Sequence, residues 1–209
     1  MANILLGVTG SVAAIRTSAL VAALQRGGHV VKVVATQSAL YFFDPTELPA
    51  GMLIRDSDEW PGQRYRRDDP VVHIELRKWA DVLLIAPLDA NTLAKLAYGG
   101  ADNCLTCVAR AWDLAKPLVV APAMNTMMWE QPITARQFRQ LMDDRGFQPP
   151  RGPIDELTRW INQQECGLTI VGPIEKRLAC GDVGIGGMSE VPDIVAVLPI
   201  AIARSPNSH

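Results

Sequence analysis

The chain has 209 residues, 48% of them apolar and 20% charged, with a formal net charge of −2. That length suits one sizeable core, in one domain or at most two. The weakly acidic balance offers no basic surface to nucleic acid or an anionic membrane, and no apolar run reaches the ~18–20 residues that span a bilayer. Neither kind of partner is therefore expected. Met1-Ala2-Asn3-Ile4 enters a strand pattern at once, without the basic start, apolar stretch and cleavage site of a signal peptide, so the cytosol is the expected compartment.

Residues 3–9 are a nearly continuous apolar run, the pattern of a strand buried on both faces of a parallel sheet. Gly10-Ser11 opens a helix predicted over 12–25, and Gly27-Gly28 closes it. A second buried strand is predicted over 30–35, and two more over 83–86 and 118–121, each leading into a proline-containing turn. Helical patterns occupy 90–97 and 104–112; a late strand is expected at 169–171 and a terminal helix at 194–203, bent or broken by Pro199. Strand and helix alternate throughout. The reading is an α/β chain: one domain built on a doubly wound, Rossmann-like or flavodoxin-like parallel sheet with helices on both faces. Two stretches depart from the pattern. Residues 44–69, with three prolines and several charges, read as a long surface excursion, and 145–164 carry Pro149-Pro150-Arg151-Gly152-Pro153 before a short helical pattern. Cys104 and Cys107 form a lone C-x-x-C inside a helical pattern. They read as small apolar core residues, with a redox or metal pair as the alternative.

In open α/β sheets ligands bind beyond the carboxyl ends of the strands, which makes four loops the candidates. In Thr9-Gly10-Ser11-Val12 the glycine allows a tight turn and the serine stands beside the first free N–H groups of a helix, an arrangement that suits a phosphate or a plain N-cap. Thr36-Gln37-Ser38 puts two hydroxyls at the next strand end, with the same two readings. Asp89-Ala90-Asn91-Thr92 follows the third strand; Asn91 and Thr92 are poor helix formers, placed better for a ligand edge than for helix stability. The fourth loop, Ala121-Pro122-Ala123-Met124-Asn125-Thr126-Met127-Met128-Trp129, packs three methionines, an asparagine and a tryptophan behind a proline. It is a ligand-facing loop or a methionine-rich buried turn.

The run Pro122-Ala123-Met124-Asn125-Thr126-Met127-Met128-Trp129 resembles the P-x-M-N-x-x-M-W signature of the homo-oligomeric flavin-containing cysteine decarboxylases. The likeness continues in Pro70-Val71-Val72-His73-Ile74-Glu75-Leu76, in Leu88-Asp89-Ala90-Asn91-Thr92, and in Ala179-Cys180-Gly181-Asp182-Val183-Gly184-Ile185-Gly186-Gly187-Met188. It covers about Ile4 to Val195, with four motifs in order. The resemblance implies FMN as cofactor, with Gly10, Ser11, Val12, Thr36, Gln37 and Ser38 around its phosphate. Asp89, Ala90, Asn91, Thr92 and Ala123 would then face its ribityl chain and ring. His73 is implied as the catalytic base, Asn125 as holder of the substrate carboxylate, and Cys180 as a proton donor on a mobile flap at about 174–190. Met128, Arg177, Ala179 and Met188 are implied as further substrate contacts. The implied reaction is decarboxylation of phosphopantothenoylcysteine to phosphopantetheine, a step of coenzyme A biosynthesis, in a cytoplasmic homotrimer. The glycines after Cys180 read as a flexible segment. Lys78 stands where the family often has a second arginine, and 145–165 carry extra residues.

The chemistry explains the residue types. Losing carbon dioxide from a simple cysteine carboxylate leaves an unstabilised carbanion, so an electron sink is needed; a flavin supplies one by transient oxidation at the thiol end. A base, a carboxylate holder and a proton donor complete the requirement. Rival readings are a peptidyl-cysteine decarboxylase, a flavin prenyltransferase of similar fold, and a non-enzymatic phosphatase-inhibitory subunit. His73 and Cys180 together argue against the last two, and the non-acidic tail Arg204-Ser205-Pro206-Asn207-Ser208-His209 argues further against the inhibitory subunit.

Overall fold

The computed structural model describes residues 1–177, 181 and 183–204. Six strands, β1 (Asn3–Val8), β2 (Val30–Ala35), β3 (Leu53–Ile54), β4 (Val82–Leu88), β5 (Leu118–Pro122) and β6 (Leu168–Ile170), form one parallel sheet in the order β3-β2-β1-β4-β5-β6. Of the two doubly wound orders expected, this is the Rossmann one.

Among the described residues, nine α-helices connect the strands and follow them. They are α1 (Thr17–Arg26), α2 (Asp56–Glu59), α3 (Val72–Trp79), α4 (Ala90–Tyr98), α5 (Cys104–Arg110), α6 (Thr126–Trp129), α7 (Pro132–Asp143), α8 (Ile154–Gln163) and α9 (Val191–Ala203). The strands read as unbroken apolar runs because both faces are covered. Ile4, Leu6, Val82, Leu84, Val119 and Ala121 face a core closed by Leu20 and Leu24 of α1 and by Ile194 and Leu198 of α9. Leu5, Leu83, Ile85, Leu118 and Val120 face a second core, closed by Leu76, Leu93, Leu105, Phe138, Leu157 and Ile161. Alternation with period two thus feeds two cores from each strand.

Several local expectations change. The predicted helix over 12–25 divides into a 3-10 turn (Val12–Arg16) and α1, which ends at Gly27 with Gly28 at φ +80°. The terminal helix starts earlier, at Val191, and runs through Pro199 to Ala203. The excursion at 44–69 is more than surface: it supplies the edge strand β3, paired with β2, and the short helix α2. Cys104 opens α5 instead of lying inside it, because Asn103 caps that helix: its side chain accepts from the Thr106 N–H (2.9 Å), and the Thr106 hydroxyl accepts from the Asn103 N–H (3.2 Å). The stretch at 145–164 gains a role: α8 buries Leu157 and Ile161, and the Asn162 amide clamps β6 by two 2.8 Å bonds to the Ile170 backbone. No helix among the described residues is long and apolar enough to cross a membrane.

Candidate active site

The chain leaves β1 toward β2 on one side and returns to β4 on the other, so the loops beyond these two strands diverge and open a crevice. Thr9, fully buried, ties its walls together: its hydroxyl donates to the Pro87 carbonyl (2.8 Å) and accepts from the Asp89 N–H (2.8 Å). At Gly10 three loops meet. A methyl group there would lie 2.5 Å from Ser38 Oγ, 2.7 Å from Ser38 Cβ and 3.3 Å from Asp89 Oδ2. Ser11 caps the 3-10 turn, with Oγ 3.4 Å from the Ala13 nitrogen. Thr36 Oγ1 and Ser38 Oγ stand 3.1 Å apart, and Thr36 also accepts from the Ala39 N–H (3.3 Å). Gln37 is exposed. Asp89 caps α4 through the Thr92 N–H (2.7 Å), so Ala90, Asn91 and Thr92 form the first helical turn, Asn91 exposed and Thr92 buried. The capping and ligand-facing readings of these loops are compatible, since each cap aligns free N–H groups and hydroxyls at the same strand ends.

Beside this cradle lies a cavity of about 570 Å³. Val12, Ile15, Ala123, Met124 and Met188 give it apolar walls, Ser11 and Asn125 polar points, and Arg16, Lys176 and Arg177 cationic ones. Asn125 is the N-cap of α6: its side-chain oxygen accepts from the Met127 N–H (2.8 Å). The outer wall is an antiparallel hairpin of β7 (Ile174–Arg177) and β8 (Val183–Gly187), within the expected flap. Two of its glycines have a packing role. The Gly186 carbonyl accepts from the Met124 N–H (2.9 Å); a Cβ on Gly184 would press 2.6 Å from Thr126 Oγ1, and one on Gly186 would collide with the Met124 carbonyl oxygen. Close approach of two backbones requires glycine there. Lys176 donates to the Met188 carbonyl (3.0 Å), while Arg16 and Lys176 both face Glu190 (2.7 and 3.7 Å). Ala179 and Cys180 lie outside the described residues. Met128 is exposed on α6, away from the lining of the cavity.

Of the implied site residues, the cavity thus collects Ser11, Val12, Ala123, Asn125, Arg177 and Met188, and the cradle Gly10, Thr36, Ser38 and Asp89. His73 is not among the residues lining it. His73 is the second residue of α3 and meets a residue that sequence reading passed over, Glu59. The buried Glu59 carboxylate takes His73 Nδ1 on Oε1 (2.5 Å) and the His73 backbone N–H on Oε2 (2.7 Å). Cys104 Sγ is 4.0 Å from the same Oε2. Burial first, then the Glu59 and Asp56 carboxylates, push the Cys104 thiol up to about 12. A thiol held protonated in this way is inert, which favours the packing reading of Cys104.

A family model described as Flavoprotein matches residues 1–201. The chain belongs to the flavoprotein family. Its relatives include a phosphopantothenoylcysteine decarboxylase of Mus musculus, 46% identical over 203 residues, 97% of this chain and 88% of that one. Another, from Oryza sativa subsp. japonica, is 44% identical over 205 residues, 98% and 82% of the two chains. Among solved flavoprotein structures, a Cys-to-Ser variant of PPC decarboxylase complexed with pantothenoylaminoethenethiol aligns with TM-score 0.78 and 45% identity, over 95% of this chain and 97% of that one. The FMN binding protein AtHal3 aligns with TM-score 0.74 and 46% identity, over 95% of both. The six-stranded parallel sheet is thus the flavoprotein sheet, and the motifs at 73, 88–92 and 122–129 lie at its carboxyl end.

Proposed function

We propose that this flavoprotein decarboxylates phosphopantothenoylcysteine to phosphopantetheine in coenzyme A biosynthesis, using FMN. The observation that carries the reading is the cavity walled by the β1 loop, residues 123–125 and a docked hairpin, with an asparagine amide and three cations on an apolar lining. A flat apolar ring with an anionic tail fits that chemistry. The tail would belong at Gly10, where the absence of a Cβ lets Ser38 approach and sets the Ser11-capped turn beside the Thr36 and Ser38 hydroxyls. Val12 and Ala123, on the cavity lining, and the first turn of α4, residues 89–92, would hold the ring. Bound FMN supplies a two-electron acceptor that makes loss of carbon dioxide possible and returns the electrons afterwards.

The chain's own residues do the rest. Asn125, held by its cap bond to Met127, orients the substrate carboxylate, and Arg177 and Met188, on the same lining, contact the remainder. His73 takes the thiol-side proton and Cys180 returns one at the end. The chain acts as one domain, with 174–190 as its substrate flap. Because His73 stands outside the lining of its own chain's cavity, we read the site as completed in a cytoplasmic homotrimer, where a neighbouring protomer brings its histidine.

A purified sample tests the reading directly: a yellow protein that releases carbon dioxide from phosphopantothenoylcysteine supports it, and a colourless one that FMN cannot reconstitute refutes it. His73→Asn is expected to keep flavin and lose decarboxylation, and Cys180→Ser to stop after decarboxylation, before the final reduction. Co-expressing the two inactive variants tests the shared site. Recovered activity in mixed oligomers supports it, whereas mixed oligomers that form and stay inactive exclude it.

A further inference from the structure

We infer that Glu59 is the positioning residue of His73, fixing which ring nitrogen carries the hydrogen. The inference rests on His73 being the base, and deepens that reading. Glu59 closes α2, a four-residue helix in the polar run Asp56-Ser57-Asp58-Glu59. Two bonds anchor that helix: Asp58 accepts from the Arg55 N–H (2.7 Å), and Asp56 accepts from the Cys104 N–H (2.9 Å), tying α2 to the start of α5. Glu59 is thereby carried inward, its side chain 6% exposed, while its neighbours stay at the surface.

A buried carboxylate needs donors, and here each oxygen has one: Oε1 has His73 Nδ1, and Oε2 has the His73 N–H, with the Cys104 thiol 4.0 Å away. No lysine or arginine forms an ion pair with it among the described residues. An ionised carboxylate only accepts, so beside it the neutral His73 ring takes the tautomer with its hydrogen on Nδ1. Nε2 then holds the lone pair, on a ring that remains 24% exposed. Capping of α3 requires only the oxygen on the backbone N–H. The second oxygen does nothing for the helix; it orients the ring and selects the tautomer that can accept a proton at Nε2.

Glu59→Gln separates the two roles. Glutamine keeps an acceptor oxygen for the His73 N–H but turns an NH₂ toward Nδ1, which favours the opposite tautomer. The expected result is a holoenzyme with wild-type flavin spectrum and melting temperature, kcat lower by about 10–100-fold and KM within about threefold. The ¹⁵N shifts of the His73 ring, assigned by their loss in His73→Asn, should report Nδ1–H in the parent and Nε2–H in the variant. Glu59→Asp, which retains a carboxylate on a shorter arm, should keep the parent tautomer and more activity than Glu59→Gln. The inference is overturned if Glu59→Gln keeps the parent's tautomer and kcat while His73→Asn is inactive. It also falls if Glu59→Asp does no better than Glu59→Gln, or if a Glu59→Gln that fails to fold is matched by a Glu59→Asp with altered ring shifts. Full activity in His73→Asn would remove the base assignment itself, a separate failure.

Discussion

Gly10→Ala probes the point at which three loops converge. The added methyl would sit 2.7 Å from Ser38 Cβ and 2.5 Å from its Oγ. A rotamer change can move the oxygen, but the Cβ moves only with its backbone. Reaching the ~3.5–4.0 Å optimum of carbon–carbon contact requires the β1 and β2 loops to part by about 1 Å. Such overpacking costs about 1–3 kcal/mol. Ser38 is exposed, so the flavin-free protein relaxes by letting its loop shift, and its stability should fall toward the lower end of that range. Bound FMN needs both loops in place, so most of the strain appears in its affinity, a loss of about 5–150-fold. Quenching of flavin fluorescence on titration measures this, with thermal melts of the flavin-free form as the control. Adding Ser38→Gly removes the collided carbon at the expense of one hydroxyl, worth about 1 kcal/mol, so the double variant should bind FMN more tightly than Gly10→Ala alone. If Gly10→Ala binds within twofold of the parent, the cradle is not where the phosphate sits.

Asn125→Asp preserves the acceptor that caps α6, so unfolding by urea should shift by less than about 0.5 kcal/mol. The new carboxylate repels the substrate's own, and kcat/KM should drop by at least about 100-fold; a smaller drop would dissociate Asn125 from carboxylate binding. Phe138 is fully buried edge-on to Trp129, with ring centroids 5.9 Å apart. Phe138→Ala should remove about 3–5 kcal/mol in a denaturant melt, a loss below about 1 kcal/mol contradicting the packing. In alkali the unfolded chain releases the Cys104 proton near the ordinary 9.0, whereas the folded chain keeps it to about 12. The folded state then binds more protons, so stability should decline by about 1.4 kcal/mol per pH unit from this group above pH 9. Urea melts between pH 7.5 and 10.5 should show a shallower decline in Cys104→Ala; an equal slope would rule out burial of that thiol.

What a sequence reveals of such a protein depends on how local the signal is. β1, β2, β4 and β5 are legible because two-sided burial makes each an apolar run. The loops after them are legible because tight turns and caps need particular residues: Gly10, Ser11, Asp89 and Asn125 each stand at such a position. The two-residue β3 has no such signature, since an edge strand in a proline-rich stretch takes its identity from pairing with β2. The start of α5 was written locally, in the Asn103–Thr106 capping pair, and the helical pattern alone obscured it.

The sequence by itself determined the family and the sheet and marked the loops at the strand ends, because strand periodicity and turn chemistry act between near neighbours. Only the tertiary structure decided which of those residues meet. It docked Gly184 and Gly186 of β8 against residues 124–126, where composition suggested flexibility. It also singled out one acid of Asp56-Ser57-Asp58-Glu59, equivalent to the others on paper, and set it beneath His73. Burial of a charge is a property of what packs over it, and here that cover is α3 and α5, distant in sequence.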